Sequence, residues 1–362
     1  MLRKVSIAAA LALGLSAGYA AADVPAGYPA DYAGVIDAAK KEGKVVVFSP
    51  TEATQVQSLL KAFAAAHPDI AVEWNDITVT AAYNRVISEA AANQTTGDLV
   101  WSNAMDLQLK LVAMGNASTY ESPEAKNLPA WAKYKNAAYS TTIEPAILMY
   151  NKALFPVDQL PKSHADLTRL LKQNKEAWNG KVATFDPEKS GTGFLWMRNN
   201  DRLDPNFWAL VEAFGGAGGK VYSSSGQFRE KVLSGEHLFA FDMNGAYVRE
   251  WAKTSSNIGT AFYNDYTQTM SRVVVITKAA PHPNAARVFL DFMLSKEGQT
   301  ASASAGLPAV RSDVTVGENV ESLNKLTGGT LKPLALDETL LNDLEPKSRV
   351  EFLAKWKKAL QK

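Results

Sequence analysis

The feature that most constrains the fold is an alternation of short β-branched segments with amphipathic segments in the first third of the chain. Residues Lys44–Ser49, Ile70–Asp76 and Leu99–Ser102 have the composition of short buried strands. Apolar residues recur at helical spacing between them, in Thr51–Ala66 and Ala82–Asn93. This pattern predicts an α/β fold with an open, mostly parallel sheet flanked by helices.

The length and the cysteine content limit how such a chain is built and what it can catalyse. The protein has 362 residues and no Cys. A chain of this length usually forms two lobes, and it is long enough to build a core without disulfides. The lack of thiols excludes thiol catalysis, zinc–cysteine sites and iron–sulfur clusters.

The N-terminus has the three parts of a secretory signal peptide. A basic stretch, Met1–Lys4, precedes the apolar run Ile7–Leu15, and small residues follow up to Ala20–Ala22. The apolar run is shorter than the roughly 20 residues that span a bilayer. We predict that residues 1–22 are a signal peptide cleaved near Ala20–Ala22 and that the mature protein is periplasmic. A buried N-terminal helix is the alternative interpretation.

The charge balance bears on possible partners. The sequence has 38 Lys and Arg against 37 Asp and Glu, and without Arg3 and Lys4 it has 36 against 37, a formal charge of −1. This balance argues against nucleic acid as a partner. We expect a monomer that binds a small molecule.

Several loops after predicted strands share hydroxyl, amide, glycine and aromatic residues. Ligands of open α/β sheets bind outside the carboxyl ends of the strands, and such residues suit a polar or anionic small molecule. Helix capping is the alternative role for the individual Ser residues. The candidate ligand-binding residues in these loops are Ser49, Thr51, Glu52, Trp101, Ser102, Asn103, Ser190, Gly191, Thr192 and Asn244.

The most informative of these loops is Asp186–Arg198, which reads DPEKSGTGFLWMR. A predicted strand leads into it, and its small residues run directly into an apolar helical segment. The first N–H groups of a helix have no partner within the helix, and they favour anions. We therefore predict an anion-binding helix start at Ser190, Gly191 and Thr192.

The sequence offers little support for an enzyme. Its four histidines, His67, His164, His237 and His282, show no metal-ligand spacing, and we interpret them as surface or turn residues. No nucleophile motif, phosphate-binding lysine or acid/base pair stands out. We expect no catalytic activity and no cofactor, and a secreted hydrolase remains only as a minor alternative.

Tyr263 and Tyr266 allow two interpretations. Phenolates suit ferric iron, and a carboxylate such as Glu52 could complete a site with an external anion. Alternatively, the rings pack or line a pocket. We favour packing or lining, because the two tyrosines are not adjacent and no His lies in a neighbouring loop. Both residues remain candidate ligand-binding residues.

Three segments resemble a known family. Residues 43–74, residues 97–112 and above all RVVVITKAAPHPNAARVFLDFMLSKEGQ, residues 272–299, are similar to extracellular solute-binding proteins of ABC transporters. The resemblance points to the ferric-iron-type branch and covers essentially the whole mature chain.

The resemblance implies a two-lobed periplasmic-binding-protein clamshell of type II, in which each lobe is an open, mostly parallel sheet flanked by helices. Residues 23–140 and 258–308 would form the first lobe and residues 141–257 the second. Residues 309–362 would form C-terminal helices that pack on the lobes. The crossovers would lie near Thr141–Ile147 and Phe262–Thr269.

The resemblance also implies that a solute binds between the lobes and is delivered to an ABC permease at the inner membrane. Members with this layout bind ferric iron, sugar phosphates, phosphoglycerates or phosphonates. Iron binders have two consecutive tyrosines, whereas this chain has Tyr263-Asn264-Asp265-Tyr266. We therefore expect an organic phosphate, phosphonate or carboxylate. The alternatives are ferric iron bound by Tyr263 and Tyr266, or a receptor for a membrane sensor. We expect Arg198 to lie too far along its helix to touch the ligand.

Overall fold

Two mixed β-sheets, joined by crossover segments, form the framework of the protein. The structure is a computed structural model that describes residues 24–361, so the predicted signal peptide lies outside the described residues. Within the described part of the chain, no helix is long and apolar enough to cross a membrane.

The elements follow one another in chain order. The strands are β1 (Lys44–Ser49), β2 (Ala71–Asp76), β3 (Leu99–Ser102), β4 (Lys133–Tyr134), β5 (Ala138–Ser140), β6 (Glu144–Asn151), β7 (Val182–Phe185), β8 (Lys220–Tyr222), β9 (Phe239–Asn244), β10 (Ile258–Ala261), β11 (Thr267–Met270), β12 (Val273–Ile276) and β13 (Leu331–Pro333). The helices are α1 (Tyr32–Glu42), α2 (Gln57–Ala66), α3 (Val79–Ala91), α4 (Met105–Ala113), α5 (His164–Gln173), α6 (Gly191–Leu203), α7 (Phe207–Gly216), α8 (Ser225–Leu233), α9 (Gly245–Thr254), α10 (Pro283–Leu294), α11 (Lys296–Ser304), α12 (Val320–Leu326), α13 (Glu338–Leu344) and α14 (Pro346–Ala359).

The first lobe contains the alternation predicted from the sequence. Its six strands lie in the order β2-β1-β3-β12-β5-β4. Strands β2, β1 and β3 are parallel, whereas β12, β5 and β4 join by antiparallel pairing. On one face, Phe63 of α2 packs edge-on against Phe289 of α10 at a ring separation of 4.8 Å. Burial of each such side chain contributes about 1.5–3 kcal/mol.

The second lobe is built on a sheet of the order β13-β11-β6-β9-β7-β8, with β10 paired to the far half of β6. Strand β6 is antiparallel to β9 and β11, while β7 is parallel to both β8 and β9. The carboxyl ends of β7, β9 and β11 and the amino end of β6 consequently share one edge. From this edge, Arg272, two residues after β11, donates to Thr51 of the first lobe at 2.6 Å.

The two crossovers lie at Thr141–Ile143 and at Ser271–Arg272, between β5 and β6 and between β11 and β12. The first is where the sequence predicted it, but the second comes later than the predicted Phe262–Thr269. Residues 258–270, which the sequence assigned to the first lobe, form β10 and β11 in the second sheet, because Thr269 and Met270 pair with the start of β6.

The C-terminal segment connects the lobes again. After β13 joins the second sheet, the N–H of Leu336 donates to the carbonyl of Trp131 beside the first sheet, at 2.9 Å. Helix α13 packs against α4 of the first lobe, whereas α14 packs against α7 of the second. Asp343 accepts hydrogen bonds from Arg198 at 2.8 Å and from Arg202 at 2.7 Å, both on α6. Arg198 therefore helps to hold α13, which packs on the first lobe, against α6 of the second lobe.

We predict that Asp343→Ala lowers the free energy of unfolding by about 2–3 kcal/mol, because Asp343 is buried and its loss leaves two half-buried guanidinium groups without their carboxylate. The control is Glu338→Gln, whose ion pair with Lys135 is exposed and should matter by less than about 1 kcal/mol. Urea unfolding of both variants measures the difference. Equal losses would show that the Asp343 pairs do not stabilise the fold.

Candidate functional site

The two crossovers meet at a buried ion pair between the lobes. Arg272 Nε donates to Glu144 Oε1 at 2.9 Å, and the two side chains are 2% and 0% exposed. Thr142 Oγ1 donates to the same oxygen and Asn244 Nδ2 to the other, each at 2.8 Å. Burial alone would raise the pKa of Glu144, but Arg272 and these donors more than offset it, so the pKa lies below its ordinary value. Both side chains are therefore charged, and each carboxylate oxygen of Glu144 accepts at least one hydrogen bond.

The remaining N–H groups of Arg272 point to neutral oxygens of both lobes. Nη1 donates to Thr51 Oγ1 at 2.6 Å and to Gln55 Oε1 at 3.1 Å, in the first lobe. Nη2 donates to the hydroxyl of Tyr247 at 3.3 Å, on α9 of the second lobe. The guanidinium carbon lies 5.8 Å from the ring centre of Trp101 and 5.6 Å from that of Tyr247. Arg272 therefore bridges the two lobes where the crossovers meet.

The loop after β1 supplies the first-lobe wall. Ser49 Oγ accepts the N–H of Thr51 at 3.1 Å, and the Thr51 carbonyl accepts from Trp74 Nε1 at 2.9 Å. These bonds fix the Thr51 hydroxyl against Arg272. Glu52 is exposed and accepts from the Thr54 hydroxyl at 3.4 Å. The helix predicted from Thr51 begins only at Gln57, which leaves this loop at the cleft.

The loop after β3 is more tightly packed than its composition suggested. Trp101 is buried, and its Nε1 donates to Thr141 Oγ1 at 2.7 Å on the first crossover. Ser102 Oγ accepts the N–H of Ala104 at 3.1 Å within the loop, and α4 begins without a side-chain cap. Asn103 is half-buried.

Burial raises the pKa of Asp106, in the first turn of α4, to about 6.

The segment singled out in the sequence forms the start of α6, as predicted. Ser190 Oγ accepts the N–H of Gly193 at 3.1 Å and caps the helix. A Cβ on Gly193 would lie 2.8 Å from the Cβ of Phe185, so this close approach requires glycine. Gly191 is exposed, with no atom within 4 Å of an added Cβ, and Thr192 is half-buried.

Helix α9 begins directly after β9, the strand that lies next to β7 and runs parallel to it. Asn244 is buried, and its Oδ1 accepts the N–H of Ala246 at 2.9 Å while its Nδ2 holds Glu144. A Cβ on Gly245 would lie 2.8 Å from the carbonyl oxygen of Pro145, so β6 and α9 are in direct contact. One asparagine thus caps a helix and supports the ion pair.

The two tyrosines have their neighbours inside the second lobe. The hydroxyl of Tyr266 donates to Asn200 Oδ1 at 2.9 Å. Tyr263 is 1% exposed, and its hydroxyl has no hydrogen-bond partner among residues 24–361. Burial raises the pKa of both phenols above their ordinary value, so they are neutral.

Two expectations about histidine were wrong. His164 was interpreted as a surface or turn residue, but it is buried, its ring stacks on Tyr266 at 3.9 Å and its Nδ1 lies 3.0 Å from Asp265 Oδ1. A His therefore does neighbour the tyrosines, because α5 begins against their loop. His237 is buried too, with its Nε2 2.9 Å from the hydroxyl of Tyr222. Within the described range, no three His, Asp or Glu side chains are grouped so that they could hold a metal ion.

Sequence reasoning missed the central residues of the cleft, Glu144, Arg272, Gln55 and Tyr247. A usable signal existed for one of them. Arg272 directly precedes VVVI, a fully apolar strand, and a charge next to such a strand must be paired or solvated. The partner, Glu144, is 128 residues away in the chain, so spacing alone does not reveal it.

Two mixed α/β lobes, two crossovers and a polar cleft at the crossovers define the periplasmic-binding-protein clamshell of type II. The chain belongs to the family described as "Bacterial extracellular solute-binding protein", which matches residues 58–328. Solute-binding proteins of this family deliver a solute to an ABC permease. No match was found among curated proteins.

Solved structures agree with this assignment. The substrate-binding protein of an ABC transporter from Agrobacterium tumefaciens is 33% identical, with a TM-score of 0.80 over 88% of this chain and 94% of that chain. Iron-bound HitA from Pseudomonas aeruginosa is 18% identical, with a TM-score of 0.69 over 87% and 99%. AfuA from Actinobacillus pleuropneumoniae with bound fructose-6-phosphate is 19% identical, with a TM-score of 0.68 over 88% and 99%. The last two show the fold alone.

We predict that Glu144→Gln lowers the free energy of unfolding by about 3–5 kcal/mol, because it leaves the buried charge of Arg272 uncompensated. Glu188→Gln is the control, since its ion pair with Lys357 is exposed and should contribute less than about 1 kcal/mol. Chemical denaturation measures both. A loss of under 1 kcal/mol for Glu144→Gln would contradict the ionised pair.

We predict that Asp106 makes the protein more stable as the pH falls from 7 to 5. Its pKa in the folded state, about 6, lies above the unfolded value, so the folded state binds the extra proton in this interval. The gain from this group is about 1 kcal/mol. Asp106→Asn should remove it. Urea unfolding at both pH values tests this, and an unchanged pH dependence in the variant would contradict it.

Proposed function

We propose that the protein is the periplasmic substrate-binding component of an ABC import system for a small organic anion. The anion is an organic phosphate, phosphonate or carboxylate that is captured between the lobes and delivered to the permease. Export by the signal peptide at residues 1–22, with cleavage near Ala20–Ala22, would bring the protein to this compartment. The mature protein would act as a monomer.

The observation that carries this proposal is the environment of Arg272. Its guanidinium lies between the two lobes and is always protonated. Apart from Glu144, its partners are the neutral oxygens of Thr51, Gln55 and Tyr247, and these belong to both lobes. A ligand oxyanion is a stronger acceptor than a hydroxyl or an amide, so it can replace them.

The start of α6 supports a second contact with the anion. Gly191 is exposed, and an added Cβ there would meet no atom within 4 Å. Helix starts stabilise anions through these groups and through the helix dipole. The remaining candidates, Ser49, Glu52, Ser102 and Asn103, would line the cleft around the ligand.

Ferric iron is the alternative ligand, and iron-bound HitA has the same fold. The proposal favours the organic anion because the contacts of Tyr263 and Tyr266 lie within the second lobe, and no first-lobe carboxylate is among them. AfuA, whose structure contains fructose-6-phosphate, has the same fold as well. A receptor for a membrane sensor would use the same cleft, and we propose no catalytic role.

Native mass spectrometry of the protein purified from its own secretory compartment tests the proposal. We expect an organic adduct of a few hundred daltons that contains phosphorus or carboxylate. An adduct of the mass of iron, with a visible tyrosinate absorption band, would overturn the proposal and identify the tyrosines as ligands.

We predict that Gly191→Asp weakens binding of the recovered anion by at least about 100-fold, because like charges placed together cost several kcal/mol. Gly226→Asp is the matched control. Gly226 also lies in the first turn of a helix, α8, and an added Cβ there meets no atom within 4 Å. Calorimetric titration compares the two variants, and equal affinities would contradict an anion at α6.

A further inference from the structure

We infer that helix α13 carries a latch between the two lobes, which helps to set how large a fraction of the molecules has the lobes apart. The latch consists of the contacts that Glu338, the first residue of α13, makes with Tyr134 and Lys135 of the first lobe. The inference concerns the movement of the lobes, so it goes beyond the proposed function and does not depend on the identity of the solute.

The chain on both sides of α13 is attached to the second lobe. Before α13, strand β13 pairs in parallel with β11, and the N–H of Leu334 donates to the carbonyl of Thr269 at 2.9 Å. After α13, Phe352 of α14 packs edge-on against Phe194 of α6 at a ring separation of 5.7 Å. The C-terminal segment therefore moves with the second lobe.

The two ends of α13 are bound to different lobes. Near its last residue, Asp343 accepts hydrogen bonds from two arginines of α6, at 2.8 and 2.7 Å, in the second lobe. At its first residue, Glu338 Oε1 lies 2.8 Å from the hydroxyl of Tyr134, which donates to it, and 2.9 Å from Lys135 Nζ. When the lobes separate, one of these two sets of contacts must break.

Burial decides which set breaks. The side chain of Asp343 is 2% exposed, whereas those of Glu338 and Lys135 are 60% and 63% exposed. Water weakens an exposed ion pair, while a buried pair that loses its carboxylate is strongly destabilised. The contacts of Glu338 therefore break first, and Asp343 keeps α13 on the second lobe.

The other backbone contact of this segment with the first lobe lies close to the hinge. The N–H of Leu336 donates to the carbonyl of Trp131, whose side chain packs against the apolar group around Ile143 of the first crossover. Tyr134 instead pairs with Ala138, three residues before that crossover begins, which is about 10 Å along the strand. Because a hinge rotation moves atoms further the more distant they are from the hinge, the latch is more sensitive to opening than the Leu336 contact.

The weakness of the latch suits a reversible movement. A contact that exists in only one of two arrangements shifts the equilibrium between them by its own free energy. For an exposed ion pair this shift is about threefold to fivefold in the ratio of the two populations. The latch therefore adjusts the ratio of joined to separated lobes without locking the protein in either arrangement.

Distances between spin labels on the two lobes test the inference without any ligand. The chain has no Cys, so labels attach only to the engineered pair Lys61→Cys on α2 and Lys172→Cys on α5, two exposed positions. Double electron–electron resonance of the labelled mature protein gives the distribution of interlobe distances. Lys135→Glu places a like charge against Glu338, and we expect it to shift the ratio of the populations about fivefold away from the joined arrangement. An unchanged distribution would overturn the latch.

Two further variants separate the latch from a general loss of stability. The charge swap, Lys135→Glu with Glu338→Lys, should restore the original distribution, because the ion pair forms again with its signs exchanged. Glu188→Gln removes an exposed ion pair with Lys357 that lies within the second lobe and its C-terminal segment, so it should leave the distribution unchanged. All variants should unfold in urea at nearly the same midpoint. A swap that fails to restore the distribution, or an equal shift in Glu188→Gln, would contradict the role of Glu338.

Discussion

The ion pair between Arg272 and Glu144 is the interaction on which the cleft depends. Removing two ions from water costs several kcal/mol for each of them. This arrangement persists because Thr142 and Asn244 satisfy the carboxylate and oxygens of both lobes satisfy the guanidinium. The pair therefore holds the two crossovers side by side. Apolar residues of similar volume often give comparable stability, so stability alone does not account for the ion pair.

The same pair couples the cleft to the relative position of the lobes. Arg272 contacts Thr51 in the first lobe and Tyr247 in the second, so separating the lobes must break at least one of these bonds. A ligand shifts such an equilibrium only by its difference in affinity for the two arrangements. A ligand therefore favours the closed arrangement only through contacts that it makes to both lobes.

Much of the fold could be predicted from the sequence, because its signals are local. The alternation in the first lobe and the start of α6 follow from periodicity and helix-start residues. Strand β11, Thr267–Met270, was missed because its sequence TQTM has neither alternation nor a β-branched apolar run, so the second crossover was placed too early. Arg272 and Glu144 could not be paired from the sequence, since only the meeting of both crossovers brings them together. His164 was interpreted as a surface or turn residue because its burial depends on a loop 101 residues away.

The electrostatics of the cleft also bear on the choice between an anion and a ferric ion. A metal ion near Arg272 would meet a positive guanidinium whose only carboxylate, Glu144, already accepts from Arg272, Thr142 and Asn244. Glu52, the other carboxylate considered as an iron ligand, is exposed, and its charge is weakened by water. An anion would instead meet hydrogen-bond donors, because the guanidinium nitrogens of Arg272 and the first N–H groups of α6 all donate. Specificity is a difference between two affinities, and under the proposed function the same residues would attract an oxyanion and oppose a cation.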